Sequence, residues 1–132
     1  MSFLIDTDTA SAHLRGTSSV TSRFLQYNGR LFISTVCLAE LKSWVYRKKT
    51  PVKYRRGLTD MLRDFQVLDV DEAVAEKSGE VGADRMDHGV SIATPDLLIG
   101  ATALVHDLTV VTHNTQHFTA IPSLRVADWL QP

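Results

Sequence analysis

The chain holds one cysteine, Cys37, with four prolines and seven glycines in 132 residues. A lone cysteine excludes an internal disulfide framework and a zinc site built on thiolates. A reducing, cytoplasmic setting is the expectation. No apolar run approaches the ~18–20 residues of a membrane span. Met1–Asp6 lacks a basic flank and soon reaches an acid, so it is not expected to be a signal peptide. The glycines are dispersed and form no phosphate-binding loop. No serine nucleophile motif stands out, and His13, His88, His106, His113 and His117 form no H-E-x-x-H helical zinc motif. Internal repeats, low-complexity tracts and Gly/Ser/Pro linkers are missing too. A mass of 14.7 kDa is the size of one domain, so residues 1–132 are expected to form a single unit.

Net charge is −1, which announces no nucleic-acid binder, but the charges are unevenly placed. Lys42, Arg47, Lys48, Lys49, Lys53, Arg55, Arg56 and Arg63 are eight of the 14 basic residues. Acids then dominate from Asp60 to Asp87. The plain reading is two solvated helix faces of opposite sign. The sharper one is a basic stripe for a phosphate backbone or an acidic partner.

Apolar runs alternate with helical patterns. Phe3–Ile5 and Leu31–Ile33 read as strands buried on both faces, and Gln66–Val70 and Thr109–Thr112 as further strands. Leu124–Val126 is a candidate last strand. Helices are expected over Thr9–Leu14, Val20–Tyr27 and Val36–Lys48, the last capped by Ser34 or Thr35. Another opens at Pro51 and runs to Phe65. Asp71 caps a long helix to His88, with Gly89 as its stop. Thr94-Pro95-Asp96 opens a largely apolar helix to His106. This order predicts an α/β fold, a three-layer α/β/α sandwich on a mainly parallel sheet.

Ligands of open parallel sheets gather beyond the carboxyl ends of the strands. Asp6-Thr7-Asp8 follows the first strand there, and His113 and Asn114 follow the strand at 109–112. Glu40 has Val36 and Trp44 one turn away on either side, an apolar setting that asks for compensation. Asp96 lies in the first turn of an apolar helix, where the dipole favours a carboxylate. Each acid alone has a plain explanation: a cap, a salt bridge, a dipole partner. Three acids on three otherwise apolar elements form a stronger pattern. Like charges gathered so need a cation among them, and oxygen ligands favour Mg²⁺ or Mn²⁺ over Zn²⁺. His113 and His117 flank Asn114 and are weaker candidates, and Cys37 reads as a small buried hydrophobe.

Four segments carry a resemblance. The strand with Asp-Thr-Asp at Met1–Asp8, ISTVCLAEL at Ile33–Leu41, TPDLLIGATAL at Thr94–Leu104 and VVTHNTQHF at Val110–Phe118 stand in order. The chain resembles PIN-domain nucleases, and within them the VapC-type toxins of toxin–antitoxin pairs. The resemblance implies a small α/β/α sandwich that cleaves RNA with Mg²⁺ or Mn²⁺. It implies that Asp6, Glu40 and Asp96 hold the metal. Thr112 and Asn114 match the polar pair that positions water or phosphate. Many members carry a further acid in the last motif; here Asn114 and His117 occupy its candidate positions. Position 8 is more often Asn in the family, and Asp8 adds charge there. Arg47, Lys48, Lys49, Lys53, Arg55 and Arg56 become candidates for tracking RNA or docking an antitoxin. The implied partners are an RNA substrate, a cognate antitoxin and a second copy of the chain, with no membrane.

Two other readings compete. A degenerate PIN fold would bind RNA or protein without cutting. A haloacid-dehalogenase-like phosphatase would use Asp6 as nucleophile, but position 10 is Ala10 and no later Gly-Asp-x-x-x-Asp pair follows.

Overall fold

A computed structural model describes residues 1–131. Five strands form one sheet: β1 (Phe3–Ile5), β2 (Leu31–Ser34), β3 (Gln66–Leu68), β4 (Thr109–Val111) and β5 (Val126–Ala127). The sheet order is β3-β2-β1-β4-β5, and every pairing is parallel. The helices are α1 (Thr7–Leu14), α2 (Ser18–Gln26), α3 (Thr35–Val45), α4 (Lys53–Leu62), α5 (Glu72–Asp87), α6 (Thr94–His106) and α7 (Thr115–Thr119). α1 packs on α2, α3 and α4, while α6 packs on α5 and α7 and also touches α3. Crossovers between parallel strands are right-handed as a rule, so connections that run in opposite directions along this sheet put α1–α4 on one face and α5 and α6 on the other. The expected three-layer α/β/α sandwich is thus observed, with a sheet that is wholly parallel.

The apolar runs explain the core. Phe3, Leu4 and Ile5 are buried together, as are Val110 and Val111, because helices cover both faces. Trp129 closes the core by stacking on Tyr27 (ring centroids 5.6 Å apart) and meeting the edge of Phe3 (4.9 Å). No helix among the described residues is long and apolar enough to cross a membrane.

Several boundaries differ from the sequence reading. α1 begins at Thr7, two residues early, because Asp6 caps it by accepting the Thr7 N–H. α3 ends at Val45, short of Lys48, where Thr50 Oγ1 donates to the Trp44 carbonyl and Arg55 Nε to that of Val45. α4 starts at Lys53, after Pro51, and α6 has Ala93 at its N-cap, with no side-chain cap from Thr94. The short helix α7 was not expected at all; only five residues long, it leaves little periodic signal.

Candidate active site

Strand order reverses between β1 and β4: the chain adds β2 and β3 on one side of β1, then crosses to the other. A cleft opens at such a switch point, beyond the strand ends. Asp6 directly follows β1, and Thr112 directly follows β4.

Asp6 is only 7% exposed. Its Oδ1 accepts the Thr7 N–H (2.8 Å) and the Cys37 thiol (3.5 Å). Its Oδ2 accepts the Thr112 hydroxyl at 2.9 Å. Burial pushes its pKa up to about 6 from the ordinary 3.8, making it a weaker acid, and the neighbouring Asp8 charge adds to the rise. The hydrogen bonds from Thr7, Thr112 and Cys37 pull the other way and lose. A buried acid this uncomfortable as an anion is one that a cation would relieve.

Glu40 stands near it on α3. Its Oε1 accepts the Thr7 hydroxyl at 2.6 Å, and its side chain reaches solvent, with no ion pair to a basic residue among the described residues. Ligand atoms of Asp6, Cys37 and Glu40 lie within 4.8 Å of one another. Asp96 stands outside that trio: its carboxylate, 24% exposed, sits 3.3 Å from His117 Nδ1. Of the three acids read from the sequence, Asp6 and Glu40 are brought together, while Asp96 is engaged with a histidine.

Cys37 is more than a filler. It is fully buried, yet its S–H faces Asp6. Burial first, then the charge of Asp6, pushes the thiol well above its usual range, so it stays a neutral donor and not a nucleophile. The signal for it in sequence is spacing: Cys37 and Glu40 are three apart, one turn on the same helix.

The polar pair divides its work. The Thr112 hydroxyl is fully buried; it donates to Asp6 and accepts the Asn114 N–H (3.1 Å). Asn114 is exposed at the start of α7, and its side chain caps nothing. Asp8 is spent on structure: it accepts from the Thr9 N–H (2.7 Å) and from the His113 N–H (3.0 Å), pinning α1 to the loop after β4.

The basic segment forms a patch of cations on aromatic rings. Arg15 lies over Trp44 (4.9 Å), Arg55 and Lys42 over Tyr46 (5.3 and 5.6 Å), and Lys53 over Tyr54 (5.2 Å). Arg47, Lys48, Lys49, Lys53, Arg55 and Arg56 are all exposed, and among the described residues no acid pairs with them. Free cations beside open rings suit phosphates and unpaired bases.

Chemically, the cleft offers carboxylate oxygens, one of them buried and held by donors, and the loop and helix that follow α3, which carries Glu40, present a cationic surface. Comparison with known proteins agrees. The PIN domain family model matches residues 3–123. The chain is 28% identical over 98% of both chains to the tRNA(fMet)-specific endonuclease VapC of Shigella flexneri. It is 32% identical to Ribonuclease VapC10 of Mycobacterium tuberculosis, over 92% of this chain and 90% of that one. The solved structure of DNA-bound VapBC from Salmonella typhimurium superposes with a TM-score of 0.90 at 27% identity, covering 98% of each chain. The relatives' names lend nothing to the phosphatase reading or to a binding-only module. This chain belongs to the PIN-domain family, in its VapC group.

Proposed function

We propose that this chain is a metal-dependent endoribonuclease, the toxin half of a toxin–antitoxin pair, acting as a single PIN-like domain over residues 1–132. The observation that carries the reading is Asp6: a buried acid at the switch point, oriented by Thr112 and Cys37 and within reach of Glu40. The donor set fits Mg²⁺ or Mn²⁺, because carboxylates supply the oxygens and the only thiol nearby is held protonated. Asp6, Glu40 and Asp96 would hold the ion, directly or through water. Such an ion, when bound, offsets charge at the scissile phosphate and makes a water easier to deprotonate.

The chain's own groups do the rest. Asp6 is fixed in place, so it can take a cation without reorganising. Glu40 reaches solvent and can orient a water or accept its proton. Asn114, exposed and two residues after Thr112, is free to hydrogen-bond a phosphate or the attacking water. The patch of Arg47, Lys48, Lys49, Lys53, Arg55 and Arg56 tracks an RNA backbone; docking of an antitoxin is the other use of these cations.

The relatives support the reading by name, as an endonuclease and a ribonuclease, and the Salmonella structure by being a VapBC complex. A cognate antitoxin, a second copy of this chain and a cytoplasmic setting follow from it. Expression of the chain alone tests it in cells. Growth arrest that co-expressed antitoxin relieves, and that Asp6→Ala, Glu40→Ala and Asp96→Ala each abolish in folded protein, is the expected result. Full toxicity of a folded Asp96→Ala protein would sink the site assignment.

A further inference from the structure

The cleft beside Asp96 contains one side chain with no role so far. His117 Nδ1 lies 3.3 Å from Asp96 Oδ2. The two residues come from α7 and α6, which pack on each other, and both line a cavity of about 290 Å³ with Ser91, Ile92 and Gln116. The His117 side chain is 52% exposed, so its ring is open to that space.

We propose that His117 is a ligand to the divalent cation that Asp96 takes, and that it tilts the site from Mg²⁺ towards Mn²⁺. The proposal rests on the reading of this edge as a metal centre. Adjacent ligands in an octahedral shell with bonds of ~2.1 Å stand about 3 Å apart. The observed 3.3 Å separation of imidazole and carboxylate matches such an edge. An imidazole also adds a donor beside Asp96 without adding a second negative charge. Carboxylate and water suit Mg²⁺ and Mn²⁺ alike, whereas imidazole is a softer donor that suits first-row transition ions. The plain reading is an ion pair that fixes Asp96 and leaves the cation to oxygens.

Pulsed EPR on Mn²⁺-loaded protein separates the two, because a directly bound imidazole adds nitrogen modulation to the Mn²⁺ signal. It is read beside calorimetric titrations with Mn²⁺ and with Mg²⁺, for the native chain, His117→Gln, His117→Asp and Asp96→Asn. The exposed position of His117 lets its variants fold, which circular dichroism checks. Expected are nitrogen modulation in the native protein and its loss in His117→Gln. Mn²⁺ affinity should fall about tenfold or more in His117→Gln, with Mg²⁺ affected less, and His117→Asp should narrow the preference for Mn²⁺. Mn²⁺ bound through Asp96 with no nitrogen modulation overturns the proposal and leaves the metal centre standing. Mn²⁺ binding that ignores Asp96→Asn overturns it as well, in favour of an ion on Asp6 and Glu40 alone. A native chain that takes up no Mn²⁺ sinks both this proposal and the metal-centre reading beneath it.

Discussion

Thr112 uses its hydroxyl on both sides, donating to Asp6 and accepting from the Asn114 backbone. A partner of this kind orients a metal-binding carboxylate, and its loss ordinarily costs 10–100-fold in affinity. Thr112→Val keeps the shape and removes the donor. We expect Mn²⁺ affinity measured by calorimetry to drop by about that factor, and Thr112→Ser to restore it. The acid it holds predicts a pH effect. With Asp6 lifted to about 6 from 3.8, the metal-free fold prefers the protonated acid. That contribution to stability is complete below the unfolded value of 3.8 and is lost as pH rises through about 6. Its size is on the order of 3 kcal/mol. The thermal midpoint of EDTA-treated protein should therefore fall across this window relative to Asp6→Asn. The gain from added Mn²⁺ should grow over the same range. Equal pH profiles for the two proteins would contradict the burial of Asp6 as an anion. At this scale the sequence was legible where an acid followed a strand. The contacts of Cys37 with Asp6 and of His117, a weaker candidate in sequence, with Asp96 were not legible, because both depend on tertiary approach.

Helix starts and stops set where these side chains stand. Ser34, fully buried, caps α3 by accepting the N–H groups of Val36 (3.1 Å) and Cys37 (3.3 Å). That helix carries both Cys37 and Glu40. Ser34→Ala should cost about 1–2 kcal/mol in a urea titration, and a change within error would show that the cap is replaced. At its other end α3 stops early, and the basic loop that follows is held by Arg55 and Thr50 on the last carbonyls. This explains why the run to Lys48, so helical by composition, does not continue as helix. Neutralising Arg47, Lys48 and Lys49 to Gln should weaken RNA or antitoxin binding. If each meets one phosphate, the slope of log affinity against log salt should flatten by about 2 for single-stranded RNA. Unchanged affinity and slope for both partners would make the patch a solvated face.

On the scale of the molecule, alternation of apolar strands with helices was enough to give the parallel sandwich, since strands buried on both faces read as unbroken runs. The order β3-β2-β1-β4-β5 is a different matter. Nothing local in the sequence states which strands are neighbours, yet that order brings Asp6 and Thr112 to one edge from positions 106 residues apart. The acids on separate elements hinted at it only because a single cation would account for all three. Asp96 shows the cost of that shortcut: it lies at the expected helix start, but beside His117 and outside the Asp6–Glu40 cluster.

The central claim is that this edge cuts RNA through a carboxylate-held metal ion. The direct measurement is cleavage of total cellular RNA by purified, antitoxin-free protein with Mn²⁺ or with EDTA, beside Asp6→Asn. Discrete fragments that need both the metal and Asp6 are the predicted result. Cleavage that persists in EDTA or in Asp6→Asn, or Mn²⁺-loaded native protein that cuts no RNA, would contradict it.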